Sequence, residues 1–86
     1  MAALKARVRR LLQEQFHGAA VKMDPTAPDD KVHGELVWSG FEGKDQLDRQ
    51  LQVLEALRSD LQTEEVGRVG LIVTVTPNEM AVMREG

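Results

Sequence analysis

The side chains that most often perform chemistry are few in this sequence and stand far apart. The two histidines, His17 and His33, lack the HxxxH or HExxH spacing that places two zinc ligands on one helix face. Neither serine, Ser39 or Ser59, lies in the GxSxG frame of a nucleophile elbow. Cysteine is absent, which excludes thiolate nucleophiles, thiolate ligands and disulfides. We interpret both histidines as surface or rim residues, with His33 a weak metal candidate.

Two pairs of adjacent carboxylates, Asp29-Asp30 and Glu64-Glu65, are the remaining candidates for acid–base chemistry. Both pairs lie in polar stretches, where a solvated turn explains them without catalysis. The sequence therefore predicts no catalytic residue, no enzymatic activity and no cofactor.

A GxxG loop occurs at residues 40–44, with the sequence Gly-Phe-Glu-Gly-Lys directly before a predicted helix. Such a loop can present backbone amides to a phosphate, as it does in KH domains. In KH domains, however, the loop joins two helices, whereas here it follows a strand. The carboxylate of Glu42 would also repel a phosphate backbone. We interpret the loop as a tight strand-to-helix turn with Phe41 packed in the core.

Nucleic-acid binding is the alternative function. The chain has 11 basic and 14 acidic residues and a formal charge of −3, which gives no general attraction for phosphates. The available basic residues lie on the first helix and at the glycine loop: Arg7, Arg10 and Lys44. The aromatic side chains that could stack on bases are Phe16, Trp38 and Phe41. The composition therefore disfavours nucleic acid as the partner.

A helix and a hairpin are predicted before the glycine loop. Apolar residues repeat at helical spacing over Leu4–Gln15, and Gly18 ends this helix. The basic side chains within residues 1–10 would also suit the start of a transit peptide, but we favour a docked helix. Strands are predicted at residues 19–23 and 31–39, joined by a turn rich in proline and aspartate.

Residues 44–61 contain no proline or glycine and are predicted to be helical. Successive residues of a helix are rotated by about 100°. In one straight helix, Leu47 and Leu51 would therefore face away from the later apolar residues. Two shorter helices with a break near residues 49–51 would remove this conflict. Gln50 would then lie on the apolar face of the second helix, an unusual place for an amide.

A polar connection at residues 62–67 leads to a β-branched strand with alternating side chains. Helices at residues 4–15 and 53–61 are expected to cover one face of a three-stranded sheet. Four side chains are predicted to lie under this cover: Leu36, Trp38, Leu71 and Val73.

The sequence TPNE at residues 76–79 follows the last strand and satisfies three helix-start rules. Threonine stands at the cap, proline at the first helical position, and glutamate closes a capping box. A terminal helix is predicted from Pro77 to about Arg84, with Met80 and Met83 facing inward. The predicted order is α-β-β-α-α-β-α in one domain, residues 1–86. The apolar runs are too short to cross a membrane, so we expect a soluble cytoplasmic protein.

These motifs, in this order and spacing, resemble the BolA-like proteins. The family has approximately F-x-G-K-S, R-H-R, a leucine-bearing helix and T-x-T-P-x-E. The corresponding stretches here are residues 41–45, Arg49 with its neighbours, residues 55–57 and residues 74–79. The resemblance covers about residues 36–80.

The resemblance implies a small, non-catalytic α+β domain, class II KH-like in element order, that binds a protein partner. Family members partner monothiol glutaredoxins in handling [2Fe-2S] clusters, and some bacterial members are described as DNA-binding stress regulators. By resemblance, the partner-binding residues are Phe41, Gly43, Lys44, Arg49 and Arg68.

The chain departs from the family where the family's histidines stand. Gln50 replaces the histidine of R-H-R, and Arg68 replaces a cluster-ligating histidine at the start of the last strand. The family's second ligand comes from the loop between the first two strands, where only His33 is near. Because arginine has no available lone pair, we expect no tight transition-metal binding and no shared glutaredoxin cluster.

Overall fold

The computed structural model describes residues 4–24 and 31–85. Their elements are α1 (Leu4–Gln15), β1 (Ala20–Met23), β2 (Val32–Val37), a 3₁₀ turn (Ser39–Phe41), α2 (Gln46–Asp60), α3 (Thr63–Val66), β3 (Val69–Val75) and α4 (Pro77–Glu85). This arrangement confirms the predicted α+β class and element order. None of the described helices has the length and apolar character needed to span a bilayer.

The described strands form one sheet with β2 at its centre. β1 pairs with β2 in antiparallel orientation, which confirms the predicted hairpin, and β3 pairs with β2 in parallel. A parallel pair needs a crossover connection, which α2 and α3 supply. The core joins buried residues of α1 and α2 to the sheet: Val8, Leu11, Leu12, Val53, Ala56, Leu57, Leu36 and Ile72.

A bulge in β3 changes which of its side chains face the core. Residues 32–34 of β2 pair with residues 69–72 of β3, so β3 has one residue more over this span. Because an extra residue reverses the alternation, Ile72 is buried, whereas Leu71 is 59% and Val73 37% exposed. The prediction that these last two side chains lie under the helices is therefore wrong.

α2 is one continuous helix of 15 residues, so the predicted break near residues 49–51 is wrong. Asp45 caps this helix, because its carboxylate accepts a hydrogen bond from the Asp48 N–H at 2.9 Å. The conflict between apolar faces is resolved by exposure, since Leu47 is 68% and Leu51 50% exposed. Exposed leucines leave the helical hydrogen bonds intact, whereas a break would leave backbone groups unpaired.

The second helix of the predicted pair is α3, which lies within the stretch predicted as a polar connection. Gln62 and Glu65 form a capping box at its start, and the Gln62 N–H donates to Glu65 Oε1 at 3.0 Å. The predicted order is thus correct although the second helix lies later in the chain than expected.

Packing explains the glycine loop. The indole of Trp38 lies against Gly40, where a Cβ atom would stand 2.4 Å from ring atom Cη2. Gly43 has a φ of 77°, a conformation that favours glycine. Phe41 is buried, as predicted, and its ring packs against Trp38 and Phe16. The loop is therefore a packed strand-to-helix turn.

α4 begins at Pro77 with the predicted capping box. Thr76 Oγ1 accepts from the Glu79 N–H at 3.1 Å, and the Thr76 N–H donates to Glu79 Oε1 at 2.9 Å. Met80 is half-buried, but Met83 is exposed, so its predicted inward orientation is wrong. Met80 lines a groove against β1 and β2, whereas Met83 lines a separate open groove.

Replacing Thr76 with alanine should lower the free energy of unfolding by about 1 kcal/mol, because its hydroxyl pairs an otherwise orphan amide. Chemical denaturation followed by circular dichroism measures this change. Thr63→Ala is the matched control, since Thr63 is exposed and Gln62 caps its helix. Equal stability of Thr76→Ala and the parent would contradict a stabilising cap.

Candidate functional site

One face of α2 covers the outer edge of β3 with hydrogen bonds. Arg49 and Gln50 follow Gln46 by three and four residues, about one helical turn, so all three lie on one side of this helix. Gln46 Nε2 and Arg49 Nη1 donate to the carbonyl of Thr74 at 3.0 and 3.2 Å, and Gln50 Nε2 donates to the carbonyl of Ile72 at 2.8 Å. Among the described strands β3 lies at the edge of the sheet, so these carbonyls have no described neighbouring strand to pair with. We call these five residues the α2–β3 network.

The network explains the amide that the sequence placed on an apolar face. Gln50 is half-buried, and its Nε2 also donates to Thr74 Oγ1 at 3.3 Å. Thr74 Oγ1 in turn donates to Gln46 Oε1 at 2.7 Å. The sequence signalled that Gln50 was unusual, but its acceptors lie 22 and 24 residues away and left no local pattern.

Arg49 is the most buried charged group of this site, with 4% exposure. Its Nε donates to the Lys44 carbonyl at 2.8 Å. Its Nη1 and Nη2 donate to the two carboxylate oxygens of Glu79 at 2.7 and 3.1 Å. The guanidinium also lies 5.7 Å from the ring centroid of Phe41. Of the residues suggested by resemblance, the structure therefore brings Phe41, Lys44 and Arg49 together, with Phe41 and Arg49 inside the protein.

The pair of Arg49 and Glu79 shifts the titration of both groups. The hydrogen bond from Arg49 holds the pKa of Glu79 at about 2, and the Thr76 backbone N–H adds to this effect. The same hydrogen bond raises the pKa of Arg49. Glu79 thus serves two elements at once, because its carboxylate pairs with α2 and caps α4.

His33 and Arg68 lie at a second corner, where β3 begins. The imidazole rests on Gly70, and His33 Nδ1 accepts a hydrogen bond from the Leu71 N–H at 3.0 Å. The carbonyl of Arg68 accepts from the Val32 N–H at 2.9 Å, which brings the two chain segments side by side. Arg68 therefore neighbours His33 but not the α2–β3 network.

The donor groups at this corner do not fit an iron–sulfur cluster. His33 Nδ1 accepts from the Leu71 N–H, so in the neutral ring Nε2 carries the proton and neither nitrogen has a lone pair to offer; the guanidinium of Arg68 has none either. Among the described residues, no three histidine, aspartate or glutamate side chains gather as a metal site would require.

Each of the basic residues considered for nucleic acid contacts another side chain of the protein. Arg7 forms an ion pair with Glu65, which joins α1 to α3. Arg10 pairs within its own helix, and Lys44 Nζ donates to Gln52 Oε1 at 2.9 Å. No described contact joins Arg7 or Arg10 to Lys44, so these three residues do not form one cluster.

A group of large apolar side chains remains exposed on α2, β3 and α4, which the α2–β3 network and the Arg49–Glu79 pair connect. These are Leu47 and Leu51 of α2, Leu71 and Val73 of β3, and Val82 and Met83 of α4. We call this set the apolar surface. A groove of about 470 Å³ lies between α2 and α4, with Gln46, Val82 and Met83 in its lining. The sequence does not predict this surface, because its spacing places Leu71, Val73 and Met83 in the interior.

Acidification should destabilise the protein through Glu79. The carboxylate titrates near pH 2 when folded and near 4.5 when unpaired, so its contribution is complete above pH 4.5 and is lost toward pH 2. Urea unfolding across this range measures the loss. Glu79→Gln should be less stable than the parent at neutral pH, and its free energy of unfolding should fall less between pH 4.5 and pH 2. Glu55→Gln, an exposed change on α2, should follow the parent, whereas a parent-like profile for Glu79→Gln would contradict this role.

Gly70→Ala should lower the free energy of unfolding by about 1–3 kcal/mol, a usual cost of overpacking. Its Cβ would stand 2.3 Å from His33 Cε1, so the ring must move and release the Leu71 N–H. The same change in a His33→Ala background should cost less, which a double-mutant cycle measures. Gly67→Ala is the control, because its Cβ would meet no atom closer than 3.5 Å. Equal costs in both backgrounds would contradict the contact.

Comparisons with known proteins agree with this architecture. No family model matches the chain, and no curated protein gives a significant match. Among solved structures, the chain is similar to BolA1 from Arabidopsis thaliana, with a TM-score of 0.68 and 23% identity, over 92% of this chain and 98% of that chain. It is also similar to a bol-like protein from Babesia bovis, with a TM-score of 0.59 and 20% identity, over 98% of this chain and 96% of that chain. The fold of this chain is therefore BolA-like, as its motifs indicated.

Proposed function

We propose that this chain is a non-catalytic protein-interaction domain of the cytoplasm. One observation carries the proposal, namely that large apolar side chains stay exposed in pairs on three connected elements: Leu47 with Leu51 one turn apart on α2, Leu71 with Val73 on one face of β3, and Val82 with Met83 beside the groove of α4. Hydrophobic surface that stays exposed on a folded protein commonly marks an interaction site. The α2–β3 network and the pair of Arg49 with Glu79 hold these elements in a fixed arrangement. A partner would therefore meet a preformed surface, which lowers the entropic cost of binding.

We propose a monothiol glutaredoxin as the partner, in an iron–sulfur or stress-response setting. The support is the resemblance of the motifs together with the BolA-like fold. In this proposal the domain contacts the glutaredoxin protein without ligating its cluster. The imidazole of His33, whose Nδ1 accepts from Leu71 while Nε2 of the neutral ring carries the proton, and the guanidinium of Arg68 support that restriction, because neither offers an available lone pair.

The proposal is tested by titrating the domain with a monothiol glutaredoxin, with and without its cluster, in a calorimeter. The double variant Leu47→Ser/Leu51→Ser should bind about tenfold more weakly, since two apolar contacts of the surface are lost. Both leucines are exposed, so the variant should retain the parent's circular dichroism. Ala6→Ser, an exposed change on α1, is the control and should bind like the parent.

The outcomes test separately the identity of the partner, the surface that contacts it and the absence of cluster ligation. Absence of binding by the parent would contradict the glutaredoxin as partner. Equal affinity of the double variant and the control would contradict the apolar surface as the contact. The visible circular dichroism of the cluster could change on mixing, persist through gel filtration and be lost in His33→Ala. Such a change would show that the domain ligates the cluster and would overturn the restriction to protein contact alone.

A further inference from the structure

A basic groove lies between α1 and β1, away from the α2–β3 network. It has a volume of about 680 Å³. Its lining includes four cationic side chains and two apolar ones: Lys5, Arg9, Arg10, Lys22, Val21 and Met23. Among the described residues, no carboxylate lines it. The groove therefore combines positive charge with an apolar floor in a chain whose net charge is −3.

Three of the four cations of this groove have at most a weak ion pair with a described residue. Arg9 and Lys22 are exposed and have no ion pair with a described residue. Arg10 pairs with Glu14 at 3.3 Å, but both side chains are largely exposed, and such pairs contribute little. At Arg9, Arg10 and Lys22, an anionic ligand would therefore displace no strong ion pair with a described residue.

The floor of the groove is an edge strand with open backbone groups. The Asp24 N–H donates to the His33 carbonyl at 3.0 Å. In an antiparallel ladder, alternate residues face the partner strand, so Val21 and Met23 turn their N–H and C=O groups away from β2. No described residue hydrogen-bonds to these groups, in contrast to β3, whose outward carbonyls α2 covers.

We propose that the groove binds an extended acidic peptide segment of a partner protein, which adds to the sheet as a strand beside β1. Backbone hydrogen bonds to Val21 and Met23 would fix the strand, and Arg9 and Lys22 would select its carboxylates. This site goes beyond the proposed function, because β1 lies across the sheet from β3 and no residue of the apolar surface lines the groove. Nucleic acid fits less well, since no aromatic side chain lines the groove for base stacking.

The test uses a fluorescent peptide of alternating glutamate and valine, about six residues long, the usual length of a strand. Its affinity is measured by anisotropy, and amide hydrogen exchange of Val21 and Met23 is followed by nuclear magnetic resonance. Binding should slow this exchange, because the outward amides gain acceptors. Arg9→Glu and Lys22→Glu should each weaken binding about tenfold. Arg58→Glu reverses the same charge on α2 and should bind like the parent.

Comparison ligands decide between strand addition, charge alone and nucleic acid. Equal binding of a lysine–valine peptide would overturn the proposal, and so would equal binding of a glutamate–proline peptide, which cannot pair as a strand. Tighter binding of single-stranded DNA, lost in Arg9→Glu, would replace peptide with nucleic acid. The Leu47→Ser/Leu51→Ser variant should keep peptide binding, and Arg9→Glu should keep glutaredoxin binding. Failure of this site and failure of the proposed function are therefore distinguishable.

Discussion

The buried guanidinium of Arg49 constrains the C-terminal half of the molecule. A charge with 4% exposure must be paired, because an unpaired buried charge is costly. Its acceptors come from the Lys44 and Thr74 carbonyls and from the Glu79 carboxylate. One side chain thus sets the positions of the turn before α2, the edge of β3 and the first turn of α4. Because Glu79 also caps α4, the cap and the ion pair support each other.

The two edges of the sheet are treated differently. At β3, amide and guanidinium groups of α2 occupy the outward carbonyls, which protects this strand from pairing with another chain. At β1, cationic side chains stand beside an edge that no other described strand covers. Positive charge discourages the approach of basic strands but not of acidic ones. The sheet therefore has one edge closed to strand addition and one edge that discriminates by charge.

Local signals predicted much of the fold, and long-range contacts account for most of the errors. The helix of Leu4–Gln15, the hairpin and the capping box at Thr76 follow from spacing and from residue types at fixed short distances. The reversed alternation in β3 depends on a bulge in its pairing with β2, beside the imidazole of His33 on Gly70. The place of Gln50 on the inner face of α2 depends on hydrogen-bond partners that come from β3. Neither arrangement leaves a periodic pattern within its own segment, so the sequence alone could not reveal it.

The packing of Trp38 gives the protein a spectroscopic reporter. Its indole ring stands edge-on to Phe16 and Phe41, with centroid distances of 5.0 and 5.1 Å, and its Nε1 donates to the His17 carbonyl at 2.9 Å. The chain contains one tryptophan, so intrinsic emission arises from this junction. Emission therefore reports the docking of the end of α1 onto the glycine loop. The folding of β3 and α4, followed by a signal other than tryptophan emission, can then be resolved in time from the docking of α1.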